Sequence, residues 1–175
     1  WFFLETWDIY DKHRVKKQKQ LCRGEAMDSE DYHLVVHVCI FNKKGDMLIQ
    51  KRQSFKEGWP NLWDLTSGGS AIECETSQQA MKRELFEEIG LVYNFEAMRP
   101  HITINFERGF DDYYLLELEV DTKQLVLQQE EVQAVKWASH AEIKDMMANQ
   151  QFVPYYEGIL DYLFEGRHAF GCIRV

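Results

Sequence analysis

The sequence lacks several features that mark specialised classes of protein. Its 175 residues contain four cysteines and no CxxC pair, which excludes a small disulfide framework and a zinc cage of that kind and favours a reducing cytoplasm. Proline occurs three times, and there is no repeat or Pro/Gly/Ser-rich linker. The longest apolar run, residues 34–41, is interrupted by His37 and is far shorter than the roughly 20 residues of a membrane span. The opening residues 1–4 have no basic flank and do not resemble a signal peptide.

Positive charge is also scarce. The chain has 20 Lys and Arg against 29 Asp and Glu, which gives a net charge of −9. Proteins that hold duplex nucleic acid through its phosphates need the opposite sign, so duplex binding is excluded. The hydrophobic fraction of 45% is ordinary for a globular protein, and a chain of this length can bury its own core. We therefore predict a single cytoplasmic domain over residues 1–175, with neither a nucleic acid duplex nor a membrane as partner.

Apolar and β-branched stretches separated by turn residues predict β-strands. Residues 34–41 and 47–52 flank a polar segment in which Gly45 supplies the turn, so the two stretches predict a hairpin. Further strands are predicted at residues 101–106, 113–120 and 133–138.

Helix starts are indicated by two candidate capping boxes. Thr76 and Ser139 are each followed three residues later by Gln or Glu, which is the pattern of a reciprocal cap. Gly90 is expected to end the first helix, and a third helix is expected to begin near Pro154. Strands and helices in this irregular order predict an α/β or α+β domain.

One segment carries a pattern far too specific to arise by chance. From Gly69 to Leu91 it reads G-x5-E-x7-R-E-L-x-E-E-x-G-x, with Glu75, Arg83 and Gly90 in the fixed positions. From average residue usage, the non-aliphatic positions match by chance about once in 10⁸ starting residues. The segment resembles the Nudix box in every specified position.

The spacing of the acidic residues within this segment agrees with a metal site. On a helix, Glu84, Glu87 and Glu88 lie within one turn of each other, beside an apolar stripe that includes Met81 and Leu85. Like charges at these spacings destabilise a helix, so the three carboxylates call for a counter-charge. Mg²⁺ prefers oxygen ligands and bridges phosphates, which makes it the natural cofactor, with Mn²⁺ as a substitute.

The resemblance to the Nudix family implies a fold and a set of site residues. The fold is a mixed β-sheet sandwiched between helices, here with an N-terminal β-extension over residues 1–31 and the box at 69–91. By resemblance, Glu75 and Arg83 pair to brace the box loop against the helix. The residues implied to bind Mg²⁺ and to form the catalytic centre are Glu84, Glu87 and Glu88, together with the Gly69 carbonyl for the metal.

The implied reaction is hydrolysis of a nucleoside diphosphate linked to another moiety, by a metal-activated water. The partner is thus a small-molecule diphosphate, and a homodimer is left open. The general base is either Glu88, acting through a metal-bound water, or a carboxylate outside the box, although each of those outside also suits a plain loop charge. Candidate substrate-binding residues are Lys51, Arg52, Gly68 and Trp59, and candidate bases outside the box are Asp111, Asp112, Glu130 and Glu131.

Two alternatives to a hydrolase stay open. Residues 32–37, 48–52 and 59–64 are similar to the Nudix branch close to isopentenyl diphosphate isomerase, and His33 matches one of its metal-binding histidines. That isomerase needs a cysteine before the box glycine and a histidine after it, where this chain has Gly68 and Ser70. The other alternative is an inactive nucleotide-binding Nudix module, but such modules tend to lose box carboxylates, which are all present here.

Overall fold

The computed structural model describes residues 4–174, which form a mixed β-sheet with helices on both faces. The strands are β1 (Thr6–Tyr10), β2 (Lys16–Cys22), β3 (His33–Phe41), β4 (Met47–Arg52), β5 (Trp63–Asp64), β6 (Ser67–Ser70), β7 (Ile102–Phe106), β8 (Gly109–Glu117) and β9 (Val132–Ala138). The helices are α1 (Ser77–Ile89), α2 (His140–Ala148) and α3 (Glu157–Glu165). Short 3₁₀ turns follow at Thr122–Gln124 and Gly166–His168.

Strand β3 is the centre of the sheet. The strand order is β5-β4-β3-β8-β7, with β6 paired to β3 and β9 paired to β4. The β3–β8 pair is parallel and the other pairs of this sheet are antiparallel, so the sheet is mixed. The predicted fold class, a mixed sheet between helices with an N-terminal β-extension, is confirmed.

The two faces of the sheet bury separate cores because successive side chains of a strand point in opposite directions. On one face, Val36 and Leu48 pack with Leu85 of α1. On the other face, Phe41 packs with Leu160 of α3. Helix α1 therefore covers one face, and α2 and α3 cover the other.

Most predicted strands lie close to their expected bounds, with one clear exception. Gly45 has a φ of 84° in the predicted turn between β3 and β4, a backbone conformation that suits glycine. The strand predicted at residues 113–120 instead spans Gly109–Glu117. Its alternating pattern was misleading because β8 pairs with β3 along its whole length and is buried on both faces. Leu118 and Val120 pack against the core after the strand has ended.

The caps define the first two helices as expected, whereas the third starts later. Thr76 and Gln79 form the full capping box of α1, and Gly90 ends that helix with a φ of 73°. Ser139 caps α2, but its box is incomplete because the Glu142 side chain pairs with a lysine of β9 instead of returning to the cap. Helix α3 begins at Glu157 and not near Pro154.

The N-terminal hairpin β1–β2 is tied to the rest of the chain through a fully buried carboxylate. Arg14, in the turn between the two strands, binds both oxygens of Asp112 in β8, at 2.7 and 2.6 Å. The same carboxylate accepts hydrogen bonds from Ser77 and Thr103, each at 2.6 Å. Arg14 thus neutralises a charge that is buried beneath the hairpin.

Two more buried carboxylates join the hairpin to its surroundings. Asp8 in β1 accepts a hydrogen bond from the Cys74 amide at the entrance of α1, at 2.7 Å. Asp31 is fully buried and binds Lys17 at 2.7 Å and Lys19 at 2.5 Å, both from β2. The hairpin therefore contacts the box loop as well as the sheet.

None of the helices in residues 4–174 is long and apolar enough to cross a membrane. All four cysteines are free thiols. Cys39 is buried in the sheet, and Cys74 and Cys172 are exposed.

Candidate active site

Helix α1 presents its acidic residues on the side next to its buried stripe. Leu85 and Ile89 are fully buried in the core and fix the rotation of the helix. Glu84 and Glu88, four residues apart, therefore point toward the loop before the helix, whereas Glu87 is half-exposed at the side.

Glu75 and Arg83 brace the loop against the helix. The Arg83 guanidinium binds the Glu75 carboxylate in a bidentate manner, at 2.7 and 3.0 Å, and also donates to the Ser70 carbonyl at 3.1 Å. Glu75 in turn accepts a hydrogen bond from the Ile72 amide at 3.0 Å. The pairing expected from the box is thus present, and it fixes the shape of the glycine loop.

Glu88 is a buried carboxylate held in one orientation by three donors. Its Oε2 accepts hydrogen bonds from Gln50 Nε2 at 2.9 Å, from Ser67 Oγ at 2.6 Å and from the Gly68 amide at 3.3 Å. Burial, followed by repulsion from Glu84, raises the pKa of Glu88 to about 8. The hydrogen bonds to Glu88 therefore do not fully compensate the cost of burying its negative charge.

Glu84 lies against the backbone of Gly69. A Cβ atom at position 69 would overlap the Glu84 carboxylate, so only glycine allows this approach. Burial raises the pKa of Glu84 to about 7, although Arg83, at 2.8 Å from its Oε1, acts in the opposite direction. Two neighbouring buried carboxylates thus have raised pKa values.

This donor set fits a divalent cation. Within residues 4–174 no three acidic, histidine or cysteine side chains already converge as a ready-made metal site. Glu84 and Glu87 instead bind Arg83, at 2.8 and 3.0 Å. A hard cation with oxygen ligands would supply the positive charge that Glu84 and Glu88 lack, and the Gly69 backbone lies against the Glu84 carboxylate.

These groups open into a polar cavity of about 260 Å³. It lies between the glycine loop, helix α1, the end of β4 and the N-terminal hairpin. Its lining residues are Glu5, Arg23, Val35, His37, Arg52, Lys56, Gly68, Gly69, Ser70, Glu84, Glu87, Glu88, Gln128 and Glu131.

We compared the sequence and the structure, with its braced glycine loop and carboxylate-bearing helix, with known proteins. The NUDIX domain family matches residues 31–157, most of the chain. This protein belongs to the Nudix family. It is 43% identical to a Nudix hydrolase of Listeria innocua over 166 residues, which cover 95% of this chain and 97% of the relative. Nudix hydrolases cleave pyrophosphate bonds, so this chain is an enzyme of that class.

This Nudix protein is also similar to more distant relatives, in sequence or in structure. It is 27% identical to the isopentenyl-diphosphate Delta-isomerase of Corynebacterium diphtheriae over 138 residues, covering 69% of this chain and 74% of that protein. The crystal structure of DR0079 from Deinococcus radiodurans matches with a TM-score of 0.75 at 20% identity, covering 91% of this chain and 99% of that one. The Nudix domain of Shewanella oneidensis NrtR, complexed with ADP ribose, has a TM-score of 0.59 at 19% identity, with coverages of 77% and 87%. The two structural matches show the fold alone.

The two basic residues predicted to bind substrate point in opposite directions. Arg52 lines the polar cavity beside α1, which we call the Nudix pocket. It binds Asp64 there at 3.3 Å and the Gly58 carbonyl at 2.9 Å. Lys51 lines a different cavity, which also includes Trp63. Adjacent residues of a strand alternate between faces, so only one member of such a pair can reach the site.

Trp59 is a second predicted substrate residue that does not line the Nudix pocket. Its side chain is 52% exposed, and its backbone is left-handed, with a φ of 52°. It lies in the loop between β4 and β5, whose contribution to the pocket comes from Lys56. Gly68, in contrast, lines the pocket, and its contact with substrate stays a prediction.

Asp111 and Asp112 are separated by the same alternation along β8. Asp112 is fully buried in the Arg14 network beneath the hairpin, and hydrogen bonds from Arg14, Ser77 and Thr103 lower its pKa although burial acts against them. It is therefore a structural ion-pair partner and does not reach the Nudix pocket. Asp111 faces the other way and binds His37 Nδ1 at 2.7 Å, next to the pocket wall.

Of the remaining two acidic candidates, Glu131 lines the Nudix pocket and forms an ion pair with Lys56, whereas Glu130 is exposed and is not part of the lining. Both residues are in the turn that leads into β9. The turn directs only one of the two carboxylates inward.

Several residues at the Nudix site escaped prediction from the sequence. Gln50 and Ser67 hold Glu88, His37 forms part of the wall, and Arg23 comes from the N-terminal hairpin. Gln50 and His37 share one signal, because His37 interrupts an apolar run and Gln50 directly follows one. A buried polar side chain needs a partner, which points to a site. Arg23 gave no such signal.

The positions that distinguish the isomerase are occupied differently. A side chain at Gly68 would overlap the His37 ring, so this fold has no room for a cysteine there without displacing that histidine. Cys74 is exposed at the entrance of α1 and is not part of the pocket lining. His33 stacks on Trp7 with 4.4 Å between ring centroids, and burial lowers its pKa to about 4, so it lies in an aromatic cluster away from the acidic helix.

Proposed function

We propose that this Nudix hydrolase cleaves the diphosphate bond of a nucleoside diphosphate linked to another moiety, in a reaction that depends on Mg²⁺ or, as a substitute, Mn²⁺. The observation that carries the proposal is a pair of largely buried carboxylates, Glu84 and Glu88, in a pocket that is also lined by Arg52 and Lys56. The carboxylates suit a cation, and the basic side chains suit the phosphates that the cation bridges.

The metal would be held by Glu84, Glu87, Glu88 and the Gly69 carbonyl. When bound, Mg²⁺ supplies charge neutralisation of the diphosphate and a lower pKa of the attacking water. Gln50 and Ser67 hold the Glu88 carboxylate in place, so that little reorganisation is needed there. Arg83 would then give up its contacts with Glu84 and Glu87 and keep its bonds to Glu75 and to the Ser70 carbonyl.

Two carboxylates in the pocket could accept the proton of the attacking water. Glu88 is beside the proposed metal position, and Glu131 is a pocket carboxylate from outside the box. Their Gln variants separate the two roles. Loss of both turnover and metal-dependent stabilisation assigns a residue to the metal, whereas loss of turnover alone assigns it to proton transfer.

The substrate would be held by the side chains of Arg52 and Lys56 and by the backbone of Gly68, all of which line the pocket. In the structure Arg52 binds Asp64 and Lys56 binds Glu131. Both cations line the pocket, so they would exchange these carboxylates for phosphate oxygens when a diphosphate binds. Arginine suits this role because its planar guanidinium matches two phosphate oxygens at once.

The experiment is a release assay over nucleoside diphosphate sugars, dinucleotides, nucleoside triphosphates and prenyl diphosphates, with Mg²⁺ and with chelator. Inorganic phosphate, pyrophosphate and nucleoside monophosphate are measured separately. Release of nucleoside monophosphate from a nucleoside diphosphate compound, only with metal, is the expected result. Binding without release would favour the inactive module, and rearrangement of a prenyl diphosphate would favour the isomerase.

Three broader predictions accompany this proposal: a cytoplasmic location, a single domain over residues 1–175, and an oligomeric state in which a homodimer is open. Sedimentation at several protein concentrations determines the last. A single cooperative unfolding transition is expected for one domain.

A further inference from the structure

The inner wall of the pocket contains a histidine that the Nudix box does not account for. His37 lies in β3, and its imidazole stacks on the ring of Tyr113 with one edge against Gly68. The His37 and Tyr113 ring centroids are 5.2 Å apart and the planes differ by 14°. Only 18% of the His37 side chain is exposed, so the ring has essentially one orientation.

Asp111 determines which ring nitrogen faces the pocket. Its Oδ1 is 2.7 Å from His37 Nδ1, and its Oδ2 accepts a hydrogen bond from the Tyr113 hydroxyl at 3.0 Å. A carboxylate oxygen accepts hydrogen bonds, so Nδ1 is the donor of this pair and carries a proton. The opposite edge of the ring, with Nε2, lies against Gly68 in the pocket wall, and Nε2 has no hydrogen-bond partner among residues 4–174.

The other cationic side chains that line the pocket are already bound to carboxylates. Arg23 binds Glu5 at 3.0 Å, Arg52 binds Asp64 at 3.3 Å, and Lys56 binds Glu131. His37 differs from them because its carboxylate partner, Asp111, binds Nδ1 on the opposite edge of the ring and leaves Nε2 accessible from the pocket side. A diphosphate entering the pocket would therefore meet Nε2 without first having to break an ion pair.

We propose that His37 is a substrate-binding residue whose Nε2 donates a hydrogen bond to a diphosphate oxygen of the substrate, with Asp111 as its positioning residue. This inference rests on the proposed function, because it assumes that the diphosphate occupies the pocket beside the box helix. It adds a contact from the central strand, opposite the carboxylates of α1.

Because Nδ1 already carries a proton toward Asp111, Nε2 donates only when the ring is a doubly protonated imidazolium, and the electrostatics favour that form. Burial lowers the pKa of His37, but the Asp111 carboxylate, assisted by Asp64 and Glu88, outweighs burial and raises it to about 9. The close approach to Gly68 has a second consequence. Any side chain at position 68 would displace the ring, so Gly68 and His37 form one structural unit.

Two substitutions of His37 distinguish a contact through Nε2 from a purely structural role. In His37→Gln, the amide nitrogen can reach the position of Nε2, so a donor to the substrate is kept while the bond to Asp111 is lost. In His37→Asn, the amide nitrogen can reach only the position of Nδ1, so the bond to Asp111 is kept while the donor is lost. A structural role predicts the reverse order of damage.

We expect kcat/KM of His37→Asn to fall about 10- to 100-fold, the range for a hydrogen bond to a charged group, and that of His37→Gln to fall several-fold less. The matched controls are His140→Asn and His140→Gln. His140 binds Asp161 at 2.8 Å between α2 and α3, away from the pocket, and neither variant should change kcat/KM. Equal losses in the two His37 variants, or parental kcat/KM in His37→Asn, would overturn the proposal.

Binding measurements keep this test separate from that of the proposed function. The probe is imidodiphosphate, which resists hydrolysis, titrated calorimetrically in the presence of Mg²⁺. His37→Asn should bind it at least about 10-fold more weakly than the parent, and His37→Gln more tightly than His37→Asn. If the parent hydrolyses nothing on the panel but shows this order of affinities, the proposed function fails and the His37 contact stands.

Two other binding results contradict the inference. If the parent does not bind imidodiphosphate with Mg²⁺, or binds it no better than His37→Asn does, His37 is not a diphosphate contact. If His37→Asn fails to fold, Asp111→Asn replaces it, because this variant leaves the ring in place without its carboxylate. It should weaken imidodiphosphate binding, and parental affinity would overturn the assignment of Asp111.

Discussion

Replacement of Glu88 by Gln should stabilise the protein in the absence of metal, and Mg²⁺ should remove most of this advantage. In the folded protein, burial and then Glu84 raise the pKa of Glu88 to about 8 from a reference value of 4.5. The folded protein therefore holds this proton more tightly than the unfolded chain, and the free energy of unfolding falls as pH rises between these two values. From pH 4.5 to pH 7 the loss is about 1.4 kcal/mol per pH unit, or about 3 kcal/mol in all.

Gln at position 88 removes this penalty. It does not ionise, and its Oε1 can accept the hydrogen bonds from Gln50 and Ser67. In the presence of chelator, we expect Glu88→Gln to be more stable than the parent by about 3 kcal/mol at pH 7 and nearly equal to it near pH 4.5. With Mg²⁺ at a hundredfold excess over its dissociation constant, the parent gains about 2.7 kcal/mol and the variant gains far less.

Urea unfolding at pH 4.5 and pH 7, with chelator and with Mg²⁺, measures these differences, and turnover is measured on the pH 7 samples. Turnover of Glu88→Gln should fall by about 100-fold or more. Glu73→Gln is the control, because Glu73 is exposed in the variable part of the box and should affect neither quantity. An identical pH dependence of stability in the parent and Glu88→Gln, or near-parental turnover, would refute the assignment of charge and metal to this residue.

Three further predictions follow from the same structure. Millimolar Mg²⁺ or Mn²⁺ should raise the melting temperature of the parent, and indifference to metal, with and without a nucleoside diphosphate, would count against the metal site. Arg14→Met should lower the free energy of unfolding in urea by about 1.5 to 3 kcal/mol, because it removes the cation from the buried Asp112 carboxylate, while turnover is retained; an unchanged urea midpoint would contradict this. No deuterium should enter a prenyl diphosphate from heavy water, since Gly68 carries no thiol, and incorporation above a protein-free blank would show otherwise.

The part of the site that the sequence predicted best is the part encoded locally. The box helix follows from the Thr76 cap and the Gly90 stop, and its fixed rotation places Glu84 and Glu88 on one side. The Glu75–Arg83 brace spans eight residues along one loop and helix turn, so the spacing alone constrains it. Such contacts depend little on how the rest of the chain folds.

The predictions of site residues failed where they depended on which face of a strand a residue occupies, here called the phase of the strand. Lys51 and Arg52, and likewise Asp111 and Asp112, are neighbours that point to opposite faces, and composition does not distinguish them. The phase is determined by pairing with strands distant in the sequence. A polar residue inside an apolar strand, such as His37, is the more useful signal, because its burial requires a partner whichever way the strand faces.

The buried ion pairs beneath the N-terminal hairpin bear on where a fragment of this protein can be cut. Sequence similarity places the start of the NUDIX domain at residue 31, after the hairpin. A fragment trimmed to that boundary would keep Asp112 but lose Arg14, and would keep Asp31 but lose Lys17 and Lys19. The segment needed to neutralise these buried carboxylates therefore begins before residue 31, where the match to the family begins. A fragment intended for solubility or crystallisation should retain the hairpin, and a library of truncations would show a sharp loss of folded protein once Arg14 is removed.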